Sequence, residues 1–343
     1  MSTYNYLINN GQIYREELCK LSIRFLVNRI VYTLLMFLLV ISVNFFLFRM
    51  MPGDPLTMVS RELGSSPEAR AALEKVYGLD KPKAVQYATY VKDMLTFNFG
   101  TSFFYKQPVW DVLKPKIWSS LVLGIGATPL GIGLGLLGGI WAARRHGKRA
   151  DMLITSSTMI IYAVPTFWLG MIFLMLFSVK LGWFPVNGMT TPGKDFVTKL
   201  GYIKDLLMHL IIPAVTYALS MFGSYLLIMR SSMVDVFTED FVLTARAKGL
   251  TDRQVIYRHV VPNALLPVST IIATTFALLF TGAFSIEILF SWPGMGRLMV
   301  DAITHQDYPI LQASNYLIAC SVILVNFAMD ILYMYIDPRV RAE

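Results

Sequence analysis

Six stretches of this sequence carry no Asp, Glu, Lys or Arg at all: 30–48, 117–141, 152–179, 208–229, 263–286 and 310–329. A helix needs roughly 20 apolar residues to cross the hydrocarbon core of a bilayer. Each stretch is too long for a strand, and none has the charged face of a soluble amphipathic helix. In lipid, hydrogen bonding within the segment is the simplest way to satisfy the backbone. The expected fold class is an all-α polytopic membrane protein with six transmembrane helices. The chain is 55% hydrophobic and only 15% charged over 343 residues, where soluble domains average about 25% charged. That balance argues against a soluble enzyme, a disordered chain and a disulfide scaffold. The two cysteines fit no disulfide framework either, because Cys19 lies in a polar tail and Cys320 in an apolar run. No cleavable signal peptide is expected, since the first apolar run lies behind that tail and is long enough to span.

Orientation follows from the placement of Lys and Arg in short loops. Residues 142–151 hold four basic residues against one acidic. Segment 230–262 adds Arg230, Arg246, Lys248, Arg253 and Arg258, and the tails add Arg15, Lys20, Arg24, Arg29, Arg339 and Arg341. With six spans these segments share one side, taken as cytoplasmic, so both termini are expected there. The net charge of +8 then reflects topology rather than nucleic-acid binding.

The expected domain plan is a cytoplasmic tail over 1–29, a first transmembrane helix over 30–48, an extracytoplasmic subdomain over 49–116, a core over 117–336 and a cytoplasmic tail over 337–343. Within 49–116, Ser66, Pro67, Glu68 and Ala69 resemble a helix start, with the helix running to about Tyr77 and Gly78 and Pro82 as its stop. The second span carries Gly124, Gly126, Gly131, Gly133, Gly135, Gly138 and Gly139, and small residues let helix backbones approach closely. Pro129, Pro165, Pro213 and Pro267 are candidate kinks.

The loop between spans four and five, 231–262, carries most of the functional signal. Val234, Phe237, Phe241 and Ala245 recur at helical spacing and mark an apolar face, and Asp235, Glu239, Asp240 and Arg246 fill much of the rest. Gly249 suits a helix C′ position. Thr251 with Gln254 matches a capping box, and a second helix then runs through Val255, Ile256 and Arg258 into Pro262. The pattern predicts helix, glycine turn, helix, with an apolar edge able to plug a groove on a partner.

The string Thr244-Ala245-Arg246-Ala247-Lys248-Gly249-Leu250 resembles the cytoplasmic signature of permease subunits of binding-protein-dependent ABC importers. That signature reads Glu-Ala-Ala, three residues, Gly, nine residues, then Ile-x-Leu-Pro. Here Gly249 is followed by nine residues and then His259-Val260-Val261-Pro262. Two departures are Leu243-Thr244-Ala245 in place of Glu-Ala-Ala, and His259 in place of isoleucine. The Thr-Ala-Arg-Ala-Lys-Gly-Leu form is similar to the dipeptide, oligopeptide and nickel branch. The resemblance runs from Arg24 to Arg341. It includes Met51-Pro52-Gly53-Asp54-Pro55, Tyr77-Gly78-Leu79-Asp80-Lys81-Pro82, Phe97-Asn98-Phe99-Gly100-Thr101-Ser102, Leu181-Gly182-Trp183-Phe184-Pro185, Trp292-Pro293-Gly294-Met295-Gly296-Arg297, Asp307-Tyr308-Pro309, Asn326, Asp330 and Asp337-Pro338-Arg339. Ala163 stands where the family often has serine.

The resemblance implies a heteromeric importer in which this chain forms half of the pathway for short peptides. Its partners would be a second homologous permease subunit, two ATPase subunits, an extracytoplasmic substrate-binding protein and the bilayer, with no nucleic acid. No cofactor is expected on this chain, and ATP and Mg would bind the ATPase subunits. The residues expected to couple to the ATPase are Glu239, Asp240, Phe241, Thr244, Ala245, Arg246, Ala247, Lys248, Gly249 and Leu250. Oligosaccharides or nickel chelates are the alternative cargo. An ion-gradient-driven secondary transporter is the rival class, and it calls for charged relays deep in the spans and inverted repeats, neither of which is seen in the sequence.

Other signals are weaker. Gly188-Met-Thr-Thr-Pro-Gly-Lys-Asp195 nearly spells a phosphate loop, but Asp195 replaces the magnesium-binding hydroxyl. A DNA-binding helix-turn-helix does not fit a segment tethered between two spans. His146, His209, His259 and His305 show no metal spacing. Glu287 and Asp330 lie near span ends and are expected to find local partners. The tryptophans fall mostly near interfaces, as belt residues do.

Overall fold

A computed structural model describes residues 26–48, 80–279 and 283–336. Apart from one isolated bridge between Thr101 and Pro108, the regular structure among these residues is helical. The helices are α1 (Leu26–Phe48), α2 (Lys83–Leu95), α3 (Val109–Ala143), α4 (Arg149–Ala163), α5 (Thr166–Phe173), α6 (Lys199–Phe237), α7 (Asp240–Ala247), α8 (Asp252–Val255), α9 (Val261–Leu278), α10 (Phe284–Leu289), α11 (Met295–Thr304) and α12 (Tyr308–Ile336). π-Helical turns extend α5 over Leu174–Lys180 and join α8 to α9 over Ile256–Val260.

Five helices among the described residues are long and apolar enough to cross a membrane: α1, α3, α6, the α8–α9 unit and α12. The sixth expected span, 152–179, is instead two helices. α4 and the α5 segment meet at 94° across Val164 and Pro165. Pro165 takes an N-cap position there, with φ −54° and ψ 131°, because a proline donates no hydrogen bond and pushes the residue before it out of helical geometry. By contrast α3 continues through Pro129 and α6 through Pro213. The fifth span also departs from expectation. Stretch 263–286 is divided between α9, which ends at Leu278, and the separate short helix α10.

α3 and α6 form the spine. With 35 and 39 residues, they are about 50 and 60 Å long at 1.5 Å per residue, well beyond a ~30 Å hydrocarbon core. The glycines of α3 set their separation. A Cβ on Gly135 would lie 2.5 Å from the Tyr225 Cβ and 2.7 Å from the Phe222 carbonyl oxygen. A Cβ on Gly139 would lie 2.7 Å from the Leu226 carbonyl oxygen. The four-residue spacing of Gly131, Gly135 and Gly139 puts all three on the face that meets α6.

Two apolar clusters mark opposite ends of this spine. One gathers Ile41 and Phe48 of α1, Met94 of α2, Val109 and Leu113 of α3, Leu298 of α11 and Tyr316 of α12. Helix α2 was not anticipated from the sequence. Pro82, read there as a helix stop, is its N-cap residue. Asn44 ties α1 to α2 and α12, donating to the Tyr90 hydroxyl at 2.9 Å and the Gln312 carbonyl at 3.0 Å. The helix expected around Ser66–Tyr77, the Pro-Gly-Asp-Pro string after α1, and most of both tails lie outside the described residues. The second cluster joins Ala143 of α3, Met229 and Met233 of α6, and the α7–α9 region.

Candidate functional site

The helix–glycine–helix loop sits on that second cluster. α6 extends continuously to Phe237, so Val234 and Phe237 belong to the long helix and not to a separate loop helix. The chain then breaks. The Thr238 hydroxyl donates back to the Asp235 carbonyl at 2.7 Å, and Glu239 takes an extended N-cap conformation. This break resets the helical register. The inward face of α7 is therefore Val242 with Ala245, both buried, and not Phe241 with Ala245. Phe241 is 40% exposed and Leu243 57% exposed.

The end of α7 is a Schellman motif. Gly249 N–H donates to the Arg246 carbonyl at 2.9 Å, and Leu250 N–H donates to the Ala245 carbonyl at 3.4 Å. Gly249 has φ +81°, a left-handed conformation that costs L-residues with a Cβ roughly 1–2 kcal/mol. α8 then opens on a complete capping box. Gln254 N–H donates to the Thr251 hydroxyl at 3.4 Å, and Thr251 N–H donates to the Gln254 side-chain oxygen at 2.9 Å. Val255, Ile256 and Val260 follow into the cluster beneath α7.

The ten residues singled out in the sequence thus divide by face. Ala245 is buried and Leu250 is half-buried, packed against the cluster. Glu239, Asp240, Phe241, Thr244, Arg246, Ala247, Lys248 and Gly249 are exposed. The acidic pair begins α7 and the basic pair ends it, each complementing the helix dipole. Sequence reasoning passed over two further exposed groups, Leu243 and Tyr257. Tyr257 lines a shallow cup with Arg253, Gln254 and Arg258 on the flank of α8. The i, i+4 spacing of Arg253 and Tyr257 was the available signal.

The loop is fastened to the rest of the bundle by α6. Arg230, two turns before the end of α6, donates to Asp151 of α4 from Nε at 2.6 Å and from Nη2 at 2.7 Å. Asp151 also accepts from the Gly147 N–H at 3.1 Å. The 144–148 connection, the start of α4, the end of α6 and α7 therefore share one end of the bundle.

Glu287 and Asp330 lie at opposite ends of the bundle, Glu287 beside the start of α11 and Asp330 beside the start of α1. Glu287 is fully buried and accepts from the Ser120 hydroxyl at 2.6 Å, Gly296 N–H at 2.7 Å and Arg297 N–H at 3.2 Å. It thereby holds the α11 N-terminus against α3. Asp330 of α12 pairs with Arg29 of α1 at 2.9 Å. The near-phosphate-loop string is also accounted for. The Thr191 N–H and hydroxyl both donate to the Asp205 carboxylate at 2.7 Å, so the loop is already occupied by an anion of the chain itself. Among the described residues no three His, Cys, Asp or Glu side chains gather into a metal site.

Two family models match the sequence. The binding-protein-dependent transport system inner membrane component covers residues 135–342, and the N-terminal model of the same membrane component covers 22–124. A chain of the MetNI methionine ABC transporter, solved in inward-facing conformations, is a remote likeness at 16% identity and TM-score 0.49, over 68% of this chain and 97% of that one. Curated relatives are much nearer. A di/tripeptide transport system permease of Pseudomonas aeruginosa is 37% identical, over 88% of this chain and 93% of its own length. An oligopeptide transport system permease of Bacillus subtilis is 36% identical, over 87% and 93%. A dipeptide transport system permease of Escherichia coli is 34% identical, over 93% and 99%. With family models spanning both halves and relatives of this identity along nearly its whole length, the chain belongs to the inner membrane components of binding-protein-dependent transport systems, as a multi-pass permease subunit and not an enzyme.

Proposed function

We propose that this chain forms half of the translocation pathway of an ATP-driven importer for short peptides. A second homologous permease subunit would complete the pathway. Two separate ATPase subunits would bind ATP and Mg at the α7 end, which is the cytoplasmic end in this reading. An extracytoplasmic binding protein would deliver the peptide to the opposite end, over 49–116 and the loops near α10 and α11. The cargo reading is supported by relatives named for di/tripeptide, oligopeptide and dipeptide transport at 34–37% identity. The orientation is supported by the basic residues of 144–149 and of α7–α8, which share one end of the bundle.

The observation that carries the mechanism is the two-sided character of α7. Its inner face, Val242 and Ala245, is packed against α8 and the π-turn Ile256–Val260, in one buried cluster with Met229 and Met233 of α6 and Ala264 of α9. Its flanks present Phe241 and Leu243 to solvent. A helix seated on the spans by one face, with apolar groups exposed on its flanks, can be pushed as a rigid lever. Closure of the ATPase pair around ATP would displace α7 in its groove and tilt α6 and α9 with it. ATP biases the pathway only through such a contact that differs between the two states. In this reading Phe241, Thr244, Arg246 and Lys248 touch the ATPase, Ala245 and Leu250 hold the lever, and Gly249 shapes its end.

The test is reconstitution in proteoliposomes, with the chain alone and then with the second permease, the ATPases and the binding protein from the same genome. Dipeptide uptake should require all components and ATP. Uptake by the isolated chain on an ion gradient would overturn the reading. Gly249→Trp gives a finer test. A Cβ there meets no atom within 4 Å, so tryptophan adds bulk at the surface on top of the strain at φ +81°; it should abolish co-purification with the ATPase while membrane insertion is retained, whereas Gly249→Ala, which carries the strain alone, should still co-purify.

A further inference from the structure

A groove of about 500 Å³ runs between α3, α4 and α6. Its walls include Leu134 and Trp141 of α3, Leu153 and Ile161 of α4, and Leu219 and Phe222 of α6. Its polar side chains are Ser157 and Thr158 of α4. Along α3 the groove extends from Leu134 to Trp141, about 10 Å at 1.5 Å per residue. The groove is open on one side and almost wholly apolar, and its length suits the proximal part of a hydrocarbon chain.

The end of this groove is basic. Trp141 lines it, and the Arg145 guanidinium lies over the Trp141 ring, 4.8 Å from the centroid. Arg144 and Lys148 of the connection and Arg149 at the start of α4 are all exposed. Among the described residues none of these four cations has a carboxylate partner, whereas Arg230 beside them is held by Asp151. Uncompensated basic pockets where transmembrane helices meet the cytoplasmic surface recognise anionic headgroups. A tryptophan at the same level marks the interface.

We propose that this groove binds an anionic phospholipid of the cytoplasmic leaflet. One acyl chain lies along α3 and α4 between Leu134 and Trp141, and the phosphate is held by Arg145, Lys148 and Arg149. The lipid would brace the α3–α4 corner against α6, the helix that continues toward α7.

The test uses the full chain purified from nanodiscs of equal phosphatidylglycerol and phosphatidylcholine with matched acyl chains, read by native mass spectrometry. Phosphatidylglycerol should be retained at least fivefold over phosphatidylcholine. Arg145→Gln with Lys148→Gln and Arg149→Gln should bring that ratio near one. The charge-preserving pair Arg145→Lys and Arg149→Lys should keep it. Ser157→Trp, which fills the groove from an exposed position on α4, should lose the retained lipid while the protein stays monodisperse. Equal retention of the two lipids by the unaltered chain would overturn the site. So would unchanged preference in both the glutamine and the tryptophan variants, or a cysteine at position 157 that cross-links to a second permease subunit in the assembled transporter.

Discussion

Arg230 and Asp151 are joined by two hydrogen bonds of 2.6 and 2.7 Å, and this pair fastens the last turns of α6 to the first turn of α4. Asp151 is buried, with its side chain 5% exposed, and Arg230 is a quarter exposed. Removing one member leaves the other charge without its partner in a poorly solvated place. Arg230→Ala or Asp151→Asn is expected to cost about 3 kcal/mol. Thermal unfolding of the detergent-solubilised chain, followed by fluorescence size-exclusion, reads the loss. The double variant Arg230→Met with Asp151→Leu should recover most of it, because an apolar pair of similar volume leaves no orphaned charge. A double variant as unstable as either single one would refute this account.

The α3–α6 contact gives an internally controlled comparison. Gly135→Ala places a methyl group 2.5 Å from the Tyr225 Cβ, and neither backbone can retreat without disturbing the whole spine. The expected cost is about 1–3 kcal/mol, typical of overpacking. Gly133 lies two residues away, and a Cβ there meets nothing within 4 Å. Gly133→Ala should be neutral or stabilise by about 0.5–1 kcal/mol through helix propensity. Equal melting shifts for the two variants would show that close backbone approach does not set this interface.

These residues also show what was readable in the sequence. Among the described residues the charge-free stretches located every long apolar helix, because the bilayer sets their length and forbids charges within them. The small-residue rule marked all seven glycines of α3 for close contact, without separating Gly131, Gly135 and Gly139, which meet α6, from Gly133, beside which a Cβ meets nothing within 4 Å. The Gly249 turn and the Thr251–Gln254 box were readable because they are local and depend on φ and on a three-residue reach. Local signals failed where tertiary packing decides. Pro165 turns the chain by 94° while Pro129 and Pro213 leave their helices unbroken, though the sequence presents three similar prolines. Periodicity ran Phe241 together with Phe237 because nothing local announced the break at Thr238 and Glu239.

Glu287 tests the anchoring of α11. Its carboxylate accepts three hydrogen bonds, two of them from the backbone at the α11 N-terminus. The Gly294 Cα beside it has no room for a methyl group, since a Cβ would lie 2.4 Å from the carboxylate. Glu287→Gln keeps the volume but exchanges one acceptor oxygen for a donor facing donors. A loss of about 1–3 kcal/mol is expected from the unpaired group. Gly294→Ala should destabilise in the same direction. Cysteine accessibility at position 300, on α11, would rise in both variants as the helix loosens. A Glu287→Gln chain with unaltered melting and accessibility would mean that the carboxylate is not what holds α11.

Phe241 and Val242 are neighbours in sequence on α7, one exposed and one buried, and their variants should separate docking from scaffold. Val242 is fully buried, in the cluster that joins α7 to α6 and α9, and burying a valine stabilises by about 1.5–3 kcal/mol. Val242→Ala should lower the melting temperature and weaken the lever without removing anything the ATPase touches. Phe241 is 40% exposed, so Phe241→Ala should lower the melting temperature of the isolated chain less than Val242→Ala does. In the assembled transporter, however, it strips the outer face of its largest apolar group. Large buried aromatics contribute about 2 kcal/mol or more at an interface core, so affinity for the ATPase should fall roughly thirtyfold, with ATP-dependent uptake falling alongside. The informative result is the crossing of the two readouts, with stability lost in one variant and association lost in the other. If Phe241→Ala lost stability and kept association, the outer face of α7 would not be the docking face, and the lever would have to be sought in the Arg253–Tyr257–Arg258 cup beside it.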